Sequence, residues 1–203
     1  MEIKYDKNRI SFEKELTVLD ELALDFSHIL QENQINHVFV AGYVAILFGR
    51  SRVSEDVDII VENISKKDFL SFWEGLDNFH CHNTWDPEEA YEEYLDKGIA
   101  IRFSREDVVI PNIEFKFAST RQQNEVLGDR IIVELNGKIL TIAPLESQIS
   151  YKLYLGTKKD IEDAKYLYEI FEDKIDYDLF KNYFRYLNIN LSDAEEILGD
   201  KFE

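Results

Sequence analysis

The chain has 203 residues and a formal net charge of −18, with 41 acidic residues against 23 Lys and Arg. This length is enough for one hydrophobic core, or for an α/β domain with a helical extension. Hydrophobic residues make up 45% of the chain and Gly and Pro are few, which predicts a globular protein and argues against disorder. The negative charge argues against a surface that binds nucleic acid non-specifically, because phosphates require Lys and Arg.

The sequence carries no signal for a membrane or for secretion. No apolar run approaches the roughly 20 residues that span a bilayer, and the charged N-terminus is not followed by an apolar segment. The single cysteine, Cys81, has no partner for an internal disulfide, which suits a reducing compartment. We therefore expect a cytoplasmic protein with no membrane partner.

In the first half of the chain, helical and strand periodicities alternate. From Phe12, apolar residues recur at helical spacing and predict an amphipathic helix that ends near Gln34. A short apolar run at 38–41 predicts a buried strand, and it is followed by Gly42 and a short helix to about residue 48. Further on, the pattern predicts a strand at 56–61, a helix at 69–76, a loop at 78–85 and a helix at 86–98.

The second half begins with strands and ends with helices. Apolar runs at 99–103 and 108–110 and strict alternation at 113–117 predict three strands, and a short helix follows to about residue 127. Asn136-Gly137 predicts a type I′ hairpin between strands at 131–135 and 138–142. Four helices are predicted at 145–155, 160–171, 177–187 and 192–198. The order indicates an α/β (α+β) fold with a mixed sheet flanked by helices over residues 1–144, followed by a helical subdomain over 145–203.

Two carboxylates on the strand at 56–61 are the strongest candidates for chemistry. Residues two apart project from the same face of a strand, so Asp56 and Asp58 point together. Two adjacent like charges call for a cation, and Mg²⁺ takes one or two carboxylates together with waters and phosphate oxygens. Glu114, on the polar face of its own strand, is our candidate for a third acid that would complete a two-metal site. Lys116, on the same face, is expected to be the ion-pair partner of Glu114.

The glycine turn and the loop before Asp56 are suited to phosphates. Backbone N–H groups at a helix start bind phosphate best where no side chain intervenes, and Gly42 precedes such a helix. Arg50, Arg52 and Ser54 lie in the loop that enters the Asp56 strand, where they could contact triphosphate oxygens. By contrast, the adjacent residues of His80-Cys81-His82 cannot supply a tetrahedral zinc shell.

Residues 40–58, with Gly42 followed at a distance by Asp-Val-Asp, resemble the signature of polymerase-beta-like nucleotidyltransferases. Residues 143–152 and 158–163 resemble later motifs of the AbiEii-like abortive-infection toxin branch. The resemblance implies Mg²⁺, with two ions bound, an NTP substrate, and a nucleotidyltransferase domain over 1–144. It implies the following roles: Asp56 and Asp58 as metal ligands, Gly42 as the phosphate cradle, Lys152 on the nucleotide phosphates, and Asp163 as a supporting or base-like residue.

Two substitutions depart from that signature, and the acceptor stays open. Tyr43 stands where the family has Ser or a second Gly, which predicts a narrower cradle, and Glu114 stands where Asp is usual. The toxin-branch resemblance implies an RNA acceptor such as a tRNA end, and an antitoxin protein as partner. The net charge instead favours a protein or a small molecule as acceptor. A nucleotide-binding or interaction module with little catalytic activity is the alternative function.

Overall fold

The computed structural model describes residues 2–199. Its centre is a nine-stranded mixed sheet with the strand order β1-β2-β8-β9-β3-β4-β7-β6-β5. The strands are β1 (Lys4–Asp6), β2 (Arg9–Phe12), β3 (His37–Val40), β4 (Asp56–Val61), β5 (Phe79–Cys81), β6 (Ile101–Arg105), β7 (Asn112–Phe117), β8 (Ile131–Leu135) and β9 (Lys138–Ile142). This mixed sheet with flanking helices is the fold class predicted from the sequence.

Helices cover the sheet and form the C-terminal part of the chain. They are α1 (Val18–Glu32), α2 (Gly42–Leu47), α3 (Lys66–Glu74), α4 (Pro87–Glu89), α5 (Arg121–Gly128), α6 (Leu145–Leu155), α7 (Lys158–Phe171), α8 (Tyr177–Leu187) and α9 (Leu191–Leu198). α4 continues into a π-helical turn over Ala90–Tyr94 and a 3₁₀ turn over Leu95–Lys97. None of the helices between residues 2 and 199 is both long enough and apolar enough to cross a membrane.

The alternation of residues along the central strands separates a buried face of the sheet from a polar face. Val57, Ile59 and Val61 of β4 are fully buried and point to one face. An aromatic cluster fills this side, where the ring of Phe72 on α3 stacks on Phe115 of β7 at 5.7 Å. The intervening residues of β4 and β7 point to the opposite face, which carries the predicted acids. Burial of the apolar face therefore fixes the register in which β4 pairs with β7, and this register brings the acids together on the other face.

The helices after residue 144 share the core of the sheet. Leu145, Ile149 and Leu153 of α6 are buried in the same cluster as the β-strands, and so is Phe171 of α7. The four helices lie close to their predicted positions, and the division of the chain into 1–144 and 145–203 stays a prediction. The last four residues of the predicted subdomain, 200–203, lie outside the described residues.

The predicted start of the first helix was wrong. Phe12 belongs to β2, which pairs in parallel with β8, and α1 begins only after Thr17. The side chain of Thr17 accepts a hydrogen bond from the Asp20 backbone, while the Asp20 carboxylate accepts one from the Thr17 N–H. This capping box fixes the helix start because it satisfies backbone donors that the helix itself cannot.

Three further elements differ from the sequence predictions. Residues 79–81, predicted as loop, form the edge strand β5, which pairs with β6. Residues 108–110, predicted as a strand, are an exposed apolar loop outside any strand. The predicted helix at 86–98 is divided into α, π and 3₁₀ turns and ends at Gly98, which adopts a left-handed conformation.

Candidate active site

The three predicted acids lie side by side on the polar face of the sheet. β4 and β7 are parallel and in register, so that Asp58 is directly opposite Glu114. Asp56 projects from the same face of β4, two residues earlier, and its Oδ1 accepts a hydrogen bond from Ser54 at 3.2 Å. Ser54, which was predicted to contact the nucleotide, donates this hydrogen bond to the carboxylate, and its contact with a nucleotide stays a prediction.

The surroundings of Asp58 disfavour the charge of its carboxylate. Burial raises the pKa of Asp58 to about 6, and the neighbouring charges of Asp56 and Glu114 add to the effect. Lys116 and Lys152 act in the opposite direction, since nearby cations favour the ionised carboxylate. A site that disfavours its own negative charge is suited to bind a cation there.

Glu114 has a partner that the sequence did not predict. Its Oε2 accepts a hydrogen bond at 2.6 Å from Arg102 on the neighbouring strand β6, which is directly opposite in register. The expectation that Lys116 pairs with Glu114 was therefore wrong, and no ion pair of Lys116 occurs within the part of the chain that the structure describes. Because the Glu114 carboxylate is paired with Arg102, it is not free to bind a metal ion in this arrangement.

The donors present fit one magnesium ion better than two. Among residues 2–199, no three His, Cys, Asp or Glu side chains converge closely enough to hold a metal ion on their own. Mg²⁺ does not need such a cage, because it commonly binds through one or two carboxylates and takes substrate phosphates and waters as its other ligands. Asp56 and Asp58 supply that pair of carboxylates. The raised pKa of Asp58 shows that its charged form is unfavourable in the folded protein, and a bound cation would stabilise that charged form.

The glycine turn differs from a bare phosphate cradle. The guanidinium of Arg52 lies so close to Gly42 that a Cβ added at this position would be 2.9 Å from Nη2. A phosphate at the turn would therefore meet the arginine as well as the backbone. Tyr43 does not narrow the cradle, since its ring is fully buried and its hydroxyl donates to Asp20 at 3.1 Å. Only the backbone of Tyr43 can face a nucleotide.

Asp163 holds the cations of this site together. Its fully buried carboxylate accepts from Arg52 at 2.5 Å and from Lys152 at 2.6 Å, and it also pairs with Arg50. Arg50 is further paired with Glu162 at 2.7 Å, at the exposed side of the cluster. These contacts fix the positions of Arg50, Arg52 and Lys152 relative to one another.

Two features of the cluster favour a bound anion, although Asp163, Glu162 and Asp160 already pair with its three cations. Burial lowers the pKa of Lys152 to about 8, and Arg52 and Arg50 lower it further while Asp160 opposes them. Burial and the charge of Arg50 lower the pKa of Arg52 in the same way. In addition, Arg52 Nε is buried without a hydrogen-bond partner among the described residues. An anion would relieve both features, because it favours the charged forms and accepts hydrogen bonds.

A cleft of about 390 Å³ opens beside Asp58, between the sheet, α5 and α6. Its walls include Lys116, Gln148 and the half-exposed Tyr151, none of which was predicted as a site residue. Gln148 accepts a hydrogen bond from the Ala41 N–H at 3.0 Å, and Ala41 has the unusual φ of 57° at the start of α2. Strain of this kind concentrates at functional sites. Only the tertiary fold brings Gln148 to the turn, so spacing along the chain could not reveal it.

Replacing Asp58 by asparagine should stabilise the protein at pH 7 when no metal is present. The pKa of Asp58 rises from 3.8 to about 6 on folding, so the folded state binds the proton more tightly than the unfolded chain. The free energy of unfolding therefore falls as the pH rises from about 4 to about 6. The full shift corresponds to roughly 3 kcal/mol as an upper estimate, since one pKa unit is about 1.4 kcal/mol.

Urea unfolding in the presence of a chelator tests this prediction. We expect Asp58→Asn to gain about 1–3 kcal/mol over the wild type at pH 7 and much less at pH 4, where the wild-type carboxyl is protonated. If Asp58→Asn and the wild type have the same free energy of unfolding at both pH values, the charge of Asp58 is not disfavoured in the folded protein.

Comparisons with known proteins identify the fold. No protein-family model matches the chain, and no curated protein matches it by sequence. Among solved structures, it is similar to an antigenic nucleotidyltransferase-like protein from Paracoccidioides brasiliensis, with a TM-score of 0.54 and 13% identity over 88% of this chain and 91% of that chain.

Two further structures match less well. JHP933 from Helicobacter pylori has a TM-score of 0.43 and 15% identity over 92% of this chain and 80% of that chain. MenT4, a nucleotidyltransferase toxin from Mycobacterium tuberculosis, has a TM-score of 0.42 and 14% identity over 79% of this chain and 60% of that chain. On the first of these similarities, which extends over most of both chains, the chain has the fold of the nucleotidyltransferase-like proteins.

Proposed function

We propose that the protein transfers a nucleoside monophosphate from an NTP to a hydroxyl acceptor, with Mg²⁺ as cofactor. The observation that carries this proposal is the position of Asp56 and Asp58 on the polar face of β4, with the charges of Arg52 and Lys152 acting on them and an open cleft beside Asp58. Such a site can hold a triphosphate at the cations and admit an acceptor beside the acids. The nucleotidyltransferase-like fold supports the same reaction class.

Each group has a distinct part in the proposed reaction. The acceptor oxygen forms a bond to the α-phosphorus, the bond from that phosphorus to the leaving oxygen breaks, and pyrophosphate departs. Mg²⁺ held by Asp56 and Asp58 would supply charge neutralisation for the phosphates. Arg52 and Lys152 bind the departing pyrophosphate, which carries the growing negative charge. The hydroxyl proton passes to the Glu114 carboxylate, once Glu114 has separated from Arg102.

Transfer of label from NTPs tests the proposal. The purified protein is incubated with Mg²⁺ and each of the four α-labelled NTPs, with cellular RNA, cellular protein or small-molecule extract as acceptor. We expect stable labelling of one acceptor class, dependent on Mg²⁺ and lost in Asp56→Asn. No labelling of any class, under conditions where the protein binds NTP, would contradict the proposal.

A second function is favoured by one observation. Glu114 is held by Arg102, and the acids do not form a ready three-carboxylate site among the described residues. We infer as the alternative a nucleotide-binding or interaction module with little catalytic activity. Tight, Mg²⁺-dependent NTP binding without turnover would favour this module over the enzyme.

The motif resemblance of residues 143–163 extends the proposal to a toxin that is controlled by an antitoxin protein. In that case, production of the wild-type protein arrests growth, whereas production of Asp58→Asn does not. Normal growth with the wild-type protein at high abundance would remove the toxin role and leave the transfer reaction intact.

A further inference from the structure

The polar face of the sheet continues beyond the acids to a group of stacked rings at the sheet edge. The rings of His80 and His82 are parallel, with centroids 4.9 Å apart, and the ring of Trp85 stacks on His80 at 6.0 Å. Both histidines reach the hydroxyl of Ser104 on β6, at 3.4 Å for His80 and 2.7 Å for His82. We call His80, His82 and Trp85 the ring platform.

The ring platform is held in place and is open to solvent. Trp85 is 83% exposed, although its turn is anchored on both sides. Asp86 N donates to the Thr84 hydroxyl at 3.1 Å, and the Asp86 side chain caps the following helix by accepting from Glu88 N at 2.9 Å. A large exposed ring in a fixed turn is ready to stack on a partner without a further loss of backbone freedom.

A continuous row of side chains joins the ring platform to the acids. Asp58 is opposite Glu114, Glu114 is opposite Arg102, and the Arg102 carbonyl accepts a backbone hydrogen bond from His82 at 2.8 Å. The Arg102 side chain is 53% exposed and the Glu114 side chain 22%, so the row is open to solvent mainly at Arg102. Asn112 on the same face is buried next to Asp56 in the register, and its Oδ1 has no hydrogen-bond partner among the described residues.

The distance between the ring platform and the acids indicates how long a ligand must be to reach both. Three strand spacings of about 4.8 Å separate β4 from β5, so the ring platform lies roughly 14 Å from the acids. A single nucleotide on the platform could not present its hydroxyl to Asp58. A chain of about four nucleotides, at roughly 3.4 Å per stacked nucleotide, could do so.

We propose that the ring platform binds a base near the end of a single-stranded polynucleotide, whose terminal hydroxyl is thereby brought to the acids. The reaction of the terminal hydroxyl at the acids rests on the proposed transfer function. The binding of the base to the ring platform does not. Flat aromatic rings stack on nucleobases without regard to sequence, and Arg102 can contact one backbone phosphate. Because the whole chain carries a net charge of −18, stacking provides most of the affinity, and the salt dependence corresponds to about one phosphate.

Tryptophan fluorescence tests the platform without metal or NTP. The chain has two tryptophans, and Trp73 is partly buried against Phe69 and Phe103 on the other side of the sheet. Titration with a single-stranded hexaribonucleotide should quench the wild type and Trp73→Phe, whereas Trp85→Phe should lose most of the quenching. In Trp85→Ala and His80→Ala, affinity measured by anisotropy of a labelled hexamer should fall about tenfold or more.

Further probes distinguish the possible ligands. We expect a mononucleotide and an abasic hexamer to bind much more weakly than the hexanucleotide. The proposal would be overturned if the abasic hexamer bound as tightly as the intact hexamer, or if Trp85→Ala bound the hexamer with the wild-type affinity. It would also be overturned if a basic peptide quenched Trp85 fluorescence and bound with a higher affinity than the hexamer. If the hexamer binds the platform but no transfer occurs in any assay, the proposed function fails and the platform stands. If transfer to the polynucleotide occurs but its rate is unchanged in Trp85→Ala, the ring platform does not bring the hydroxyl to the acids, and the proposed function stands.

Discussion

Replacing Asp58 by alanine should reduce nucleotidyl transfer by about a thousandfold or more while the protein stays folded. Asp58 lies directly opposite Glu114, next to Asp56, and burial and these charges raise its pKa to about 6. In the proposed site, Asp58 provides half of the protein's ligands to the metal. A bound metal contributes several kcal/mol of charge stabilisation in the transition state, and about 4 kcal/mol corresponds to a thousandfold in rate.

The rate should be measured with saturating NTP and Mg²⁺ in single-turnover experiments, so that binding defects are separated from chemistry. Asp96→Ala is the matched control, since Asp96 is an exposed acid in the 3₁₀ turn before Gly98 and should keep the wild-type rate. Thermal unfolding of both variants checks the fold. Full transfer by Asp58→Ala would mean that the chemistry takes place elsewhere on the protein.

Replacing Asp163 by alanine should lower the free energy of unfolding by about 3–5 kcal/mol. Asp163 is fully buried and pairs with Arg50, Arg52 and Lys152. Its removal leaves cations that repel one another in a poorly solvated space, and loss of one partner from a buried ion pair typically has a cost of this size. Denaturant unfolding at pH 7 measures the difference.

Glu162→Ala is the control for this prediction, because Glu162 is the adjacent residue and pairs with Arg50 at the surface. The Glu162 side chain is 50% exposed, so its loss should change the stability by less than about 1 kcal/mol. A similar small effect for Asp163→Ala would contradict the view that this carboxylate holds the phosphate-binding cations together. NTP affinity should fall in Asp163→Ala as the cations lose their positions.

The parts of the fold that were predicted correctly have strong local signals. β4 was predicted by its apolar alternation, and the hairpin of β8 and β9 by Asn136-Gly137, both of which have positive φ as a type I′ turn requires. β1 and β2 were missed because they lack a continuous apolar run such as the one that revealed the equally short β3. Moreover, the neighbour of β2 in the sheet is β8, about 120 residues away, and no local signal reveals such a pairing.

The same distinction between local and tertiary information applies to the candidate site. The shared face of Asp56 and Asp58 follows from the period of a strand, and the position of Glu114 beside them follows from the alternation in β7. The Arg102 pair and the Gln148 contact depend on which strands and helices become neighbours. The sequence therefore indicated the acids and missed the groups that orient them or compete for them.

Binding of a non-hydrolysable NTP analogue, titrated with Mg²⁺, tests the central claim most directly. The comparison is between the wild type and the double variant Asp56→Asn/Asp58→Asn. We predict that Mg²⁺ increases the affinity of the wild type at least tenfold and leaves the affinity of the double variant unchanged, because the two carboxylates hold the metal. The same increase in both proteins would show that Asp56 and Asp58 are not the metal ligands and would contradict this account.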